Sequence, residues 1–141
     1  LSMEMGDVDT AEREARAALE RGFDQAEATA LVMRTYLVRG RARDMLRDFP
    51  QVESPAALAG QIATMRALGE LSLGQREPAR AAAQAAIRFM PNAPEPHLAI
   101  ASVALADGNR AESEAAVDRA LALDANNTDA LLRKASFLAE N

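Results

Sequence analysis

The 141-residue sequence contains no cysteine, which excludes disulfides and thiolate metal sites but leaves the redox compartment open. It contains no tryptophan, and aromatic residues make up only 4% of it. An interior must therefore be built from small aliphatic side chains, and alanine, the commonest residue, lets helices approach closely. His97 and Lys134 are the only histidine and the only lysine, so arginine carries nearly all the positive charge. A formal net charge of −5 and a pI near 4.9 oppose the phosphate neutralisation behind most non-specific nucleic-acid binding, and DNA or RNA is not an expected partner. No apolar run approaches the roughly 18 residues of a transmembrane helix, and no signal-peptide pattern stands at Leu1. A glycine-rich phosphate loop, a paired-carboxylate arrangement and a zinc-ligand spacing are all missing. Neither an enzyme, nor a cofactor, nor a metal is expected.

What is present is a period. Gly6, Gly40, Gly74 and Gly108 are each 34 residues apart, and the residues around them recur in the same order. Helix, glycine turn and helix at that spacing make units that bury their apolar faces only against neighbouring units. With each turn glycine set at position 15, the chain divides into helix B of repeat 1 at 1–25, repeat 2 at 26–59, repeat 3 at 60–93, repeat 4 at 94–127 and helix A of repeat 5 at 128–141. Beginning and stopping in mid-repeat, the sequence reads as a section of a longer array.

Local signals place the helices. Asp9 with Glu12 forms a capping box for a helix over about 8–21, with Ala11, Ala15, Ala18 and Leu19 on its apolar face. Helix A of repeat 2 runs from near Ala26 to Gly40. Helix B of that repeat must stop near Phe49, because Pro50 has no amide hydrogen and disfavours helix at the residue before it. Ser54-Pro55 reads as an N-cap followed by a first-turn proline, opening a long helix over about 55–73. Further helices are expected over about 76–89, 94–107, 110–123 and 128–140, with Asn126-Asn127 as the last link.

Small residues recur in phase: Met33, Ala67, Ala101 and Ala135 at position 8; Ala11, Met45, Ala79 and Ser113 at position 20; Ala18, Val52, Ala86 and Ala120 at position 27. All but Met33, Met45 and Val52 are Ala or Ser. With the 34-residue period, this pattern resembles the tetratricopeptide repeat (TPR) family along the whole chain. The resemblance implies an all-α, right-handed superhelix of helix-turn-helix repeats, an α-solenoid whose A helices line a concave groove that binds a peptide or protein segment. Repeats 2 and 3 depart from the pattern, with Arg66 and Glu70 at positions that are usually apolar, and are expected to pack abnormally. Ala130-Leu131-Leu132-Arg133-Lys134-Ala135 and the proline-shortened helix before Met65-Arg66-Ala67 look like the repeat proteins of bacterial exosortase and exopolysaccharide-export systems. That resemblance implies an envelope-associated assembly factor; otherwise the cytoplasm is the default.

The expected groove residues are Arg34, Leu37, Met65, Leu68, Leu71, Leu98, Leu105 and Leu132, the leucines and methionine projecting from successive A helices with Arg34 and Arg133 toward the two ends. The TPR carboxylate clamp is not matched. Its positions 2, 5, 6 and 9 carry Glu27, Ala30, Leu31 and Arg34, then Gln61, Thr64, Met65 and Leu68, then Glu95, Leu98, Ala99 and Ser102. A partner is therefore expected to be an apolar or amphipathic protein or peptide segment, and self-association through exposed array ends is the alternative. His97, with no cysteine to activate, is expected to pack rather than react. Arg39, Arg41, Arg43 and Arg47 read as a solvated convex surface, and Arg66 and Glu70, four residues apart on one helix, as an ion pair.

Overall fold

The computed structural model describes Arg13, Arg16, Ala17, Glu20, Arg21 and residues 24–140. The capping box at Asp9 and Glu12, the apolar face Ala11, Ala15, Ala18 and Leu19, and the turn glycines Gly6 and Gly22 lie outside the described residues. The bounded elements are all helices: α1 (Gln25–Val38), α2 (Ala42–Asp48), α3 (Ala56–Ser72), α4 (Arg76–Phe89), α5 (Glu95–Ala106), α6 (Arg110–Leu123) and α7 (Thr128–Ala139).

Three of the starts are capped by side chains. The Asp24 carboxylate accepts from the amides of Ala26 and Glu27 to open α1, Asn109 accepts from Glu112 to open α6, and Asn127 accepts from Ala130 to open α7. These bonds satisfy amides that have no partner inside the helix. Between paired helices the chain turns at Gly40, Gly74 and Gly108, with φ of 73°, 78° and 78°, a left-handed conformation that glycine adopts without the Cβ clash of other residues. The start of α3 differs from the sequence expectation. Pro55 itself is the extended cap residue, and no side chain caps that end.

Small residues set how the helices meet. In repeats 3 and 4, Ala67, Ala79, Ala83, Ala86, Ala101, Ala116 and Ala120 are all buried, and the Ser113 hydroxyl donates to the Ala101 carbonyl at 2.8 Å, joining α6 to α5. Repeat 2 solves the same contact differently. Met33 and Met45 are fully buried, and the room Met45 needs comes from Gly69 on α3, where a Cβ would stand 2.5 Å from the Met45 Cε. Gly60, also on α3, admits Met90, whose Cγ lies 2.3 Å from the site of a Cβ. The bulk of Met45 is thus accommodated by a glycine one helix further on.

Arg66 corrects another expectation. It does not pair with Glu70; its Nη1 donates to the carbonyls of Leu46 and Phe49, each at 2.8 Å. Those carbonyls belong to the end of α2, the short helix stopped at Pro50, and a guanidinium there satisfies acceptors that the helix leaves open. Glu70 keeps a buried Oε1 with no hydrogen bond, and burial raises its pKa against the lowering pull of Arg66. A repeated arginine joins successive units. Arg76 donates to the carbonyl of Ala106 at 3.0 Å, and Arg110, one period later, donates to the carbonyl of Phe137 at 3.1 Å and pairs with Glu140.

Candidate binding groove

The A helices α1, α3, α5 and α7 contribute side chains to one cavity of about 100 Å³, lined by Arg34, Thr64, Met65, Leu68, Glu95, Leu98, Ala99, Asp129 and Arg133. Of the residues expected from sequence, it gathers Arg34, Met65, Leu68 and Leu98. The others lie elsewhere. Leu37 is half-buried and packs toward α2 and Gly69, and Leu71 is also half-buried. Leu105 is 56% exposed and borders a separate cavity of about 230 Å³ with Ser113, Arg133, Ser136, Phe137 and Glu140. Leu132, at 67%, is exposed on α7 and lines neither cavity.

Within the groove the apolar side chains are floor rather than projections. Met65 is 4% exposed and Leu98 is 6% exposed, and each belongs to a buried cluster. The physical reason lies in the alanine-rich interior: side chains that small cannot fill the space between successive units, so the long side chains of the A helices sink into it. Leu68, half-buried, packs against both clusters and joins them.

The rim is charged, and its charges differ in what they already hold. Arg133 on α7 is engaged. Its Nε donates to Asp129 at 2.9 Å, and its Nη1 donates to the Ser102 hydroxyl at 2.9 Å and to the Leu98 carbonyl at 3.4 Å. Arg34 and Glu95 are both exposed, and among the described residues neither forms an ion pair or side-chain hydrogen bond. Thr64, Glu95 and Ala99 also line the cavity and were not expected there. All three stand at positions of the unmatched carboxylate clamp, so place in the repeat was the signal that could have found them.

Burial, then Arg119, lowers the His97 pKa, which favours the neutral ring. Among the described residues no cluster of His, Cys, Asp or Glu could hold a metal ion. On the other surface Arg41 pairs with Asp44, and Arg47 with Asp44 and Asp48. Tyr36 donates to Asp48 at 3.0 Å while the Arg41 guanidinium lies 5.0 Å from its ring centre. That surface is largely neutralised within the chain. No described helix is long and apolar enough to cross a membrane.

No family model and no curated protein match the chain. Among solved structures it is similar to TTC0263, a thermophilic TPR protein of Thermus thermophilus, with a TM-score of 0.65 and 21% identity, over 97% of this chain and 76% of that one. Likeness at that identity speaks to the fold: the chain is an all-α array of TPR-like helix pairs stacked as an α-solenoid.

Proposed function

We propose that this chain is a non-enzymatic protein-interaction scaffold that holds a peptide or protein segment in the groove of its A helices. The observation that carries the reading is the cavity with an apolar floor of Met65, Leu68 and Leu98 under a rim where, among the described residues, Arg34 and Glu95 remain unpaired. Rigid helices present that floor, so a segment laid on it loses its own freedom while the scaffold loses little. The test is selection of random displayed peptides against the chain, followed by amide chemical-shift mapping of the bound form. Shifts centred on residues of α1, α3 and α5 that line the cavity support the reading. Shifts confined to the face of Arg43 and Arg47 overturn it.

On the resemblance of Ala130–Ala135 and the short helix before Met65, the proposed setting is an assembly in the bacterial envelope or an exopolysaccharide-export system. Fractionation of cells carrying a tagged protein checks this, and recovery in the cytosol alone rejects it. A second reading, a module that joins repeats or self-associates, has its own observation. Ala135 stands one period after Ala101 and two after Ala67, yet it is exposed where they are buried, and Leu131 and Leu138 beside it are exposed too. Sedimentation equilibrium of the chain and of Ala135→Glu decides: association that the substitution abolishes supports the module, and a monomer in both rejects it.

A further inference from the structure

We infer that the groove selects segments in which a single aliphatic side chain is flanked by an acidic residue on one side and a basic residue on the other, an inference that rests on the groove reading above. Three observations converge on this partner. The first is size. The cavity of about 100 Å³ opens to solvent and is smaller than the enclosed cavity of about 150 Å³ that accepts a benzene ring, so one aliphatic side chain fills it. Its floor, Met65, Leu68, Leu98 and Ala99, offers no polar side chain to that occupant, and Thr64 spends its hydroxyl proton on the Gly60 carbonyl at 2.8 Å.

The second is the state of the rim charges. Asp129 and Arg133 are paired with one another and Arg133 also holds Ser102, so their charges are already offset before a segment arrives. Among the described residues Arg34 and Glu95 have no such partners. A guanidinium accepts a carboxylate in a planar, two-point contact, and a carboxylate in the first helical turn accepts a guanidinium or ammonium.

The third is placement. Arg34 comes from α1 and Glu95 from the first turn of α5, with the α3 floor residues Thr64, Met65 and Leu68 on the helix between them in chain order. Opposite charges at the two sides of an apolar floor give a bound segment a direction as well as a composition. The same segment laid the other way brings acid to Glu95 and base to Arg34, and like charges brought together disfavour that orientation.

The experiment uses displayed random peptides selected in parallel against the native chain and against the doubly reversed chain Arg34→Glu/Glu95→Arg. Both substituted residues are exposed, and circular dichroism verifies that the reversed chain keeps its helix content. The expected result is that native-selected peptides share an acid, one aliphatic residue and a base in a fixed order, and that peptides from the reversed chain share the opposite order. Calorimetry on a native-selected peptide should then show affinity falling at least tenfold with Arg34→Glu and recovering when the peptide's acidic residue is replaced by lysine. Peptides that map to the groove but show no charge order, or that are the same for both chains, overturn this inference and leave the groove reading standing. Peptides that map outside the groove, or no selected peptides at all, overturn both.

Discussion

Gly60 offers a test of the packing with two opposing terms of known sign. In the interior of α3, replacing glycine by alanine restricts the unfolded chain and favours helix by about 1 kcal/mol. Against that stands Met90. A Cβ at residue 60 would lie 2.3 Å from its Cγ, 2.7 Å from its Sδ and 2.9 Å from its Cε, so the whole side chain must relocate and not merely its tip. Overpacking of that kind costs roughly 1–3 kcal/mol, toward the lower end here because Met90 is half-buried and can move toward solvent. Gly60→Ala should therefore be neutral or destabilising by up to about 2 kcal/mol in the native background. In the Met90→Ala background the obstruction is gone, and the same change should stabilise by about 1 kcal/mol. The reversal of sign is the prediction. Urea melts of the native chain, both single variants and the double variant give the coupling directly. Equal stabilisation by Gly60→Ala in both backgrounds would refute the packing of Met90 against that glycine.

Ala101 is fully buried against α6 while Ala125 is exposed in the link before α7, so Ala101→Leu should cost roughly 1–3 kcal/mol by overpacking and Ala125→Leu almost nothing; equal losses in thermal melts would reject the contact. Arg66→Ala leaves the Leu46 and Phe49 carbonyls without their guanidinium, and amide exchange over α2 should accelerate while that of α6 does not change; unchanged exchange in α2 would show that the bonds do not hold it. For Glu70 the folded-state pKa is raised by burial, so its contribution to stability is present below the ordinary carboxylate range and is lost as pH rises through the raised value. Glu70→Leu should accordingly gain stability over the native chain as pH is taken from acid to neutral, and a gain that shrinks toward neutral pH would contradict the assignment.

Helix ends are legible in this sequence wherever one residue has to make them. Gly74 and Gly108 can turn left-handed at little cost, Asn109 carries a capping oxygen, and Pro50 cannot donate, so α4, α6 and the end of α2 follow from local chemistry. Pro55 is less legible, because proline serves both at the cap and one residue inside it, and only the backbone distinguishes them. The bulk of Met33 and Met45 was visible, but the glycine that makes room for Met45 was not. Gly69 is far from Met45 along the chain, and nothing local says that an absent Cβ on one helix is filled by a methyl from another.

The groove divides along the same line. Repeat register brings Arg34, Met65, Leu68 and Leu98 to one cavity because positions a period apart share a face, and that much is a property of the sequence. Depth is not, since Met65 and Leu98 sink from the expected strip into the floor only because the alanine-rich layers beneath them leave space. Nor is the availability of charge. Arg34, Glu95, Asp129 and Arg133 are equivalent as letters, yet Asp129 and Arg133 stand four apart on α7 and quench each other, while the opposite charges of Arg34 and Glu95 arise on different helices and, among the described residues, find no partner beside them. Arg66 and Glu70 have the same four-residue spacing as Asp129 and Arg133 and do not pair, because the open carbonyls at the end of α2 draw the guanidinium away. Spacing alone therefore cannot tell a spent charge from a free one. On the proposed reading, specificity in this groove rests with the charges that the fold leaves unspent, and those are fixed by competition among acceptors across helices rather than by any local pattern.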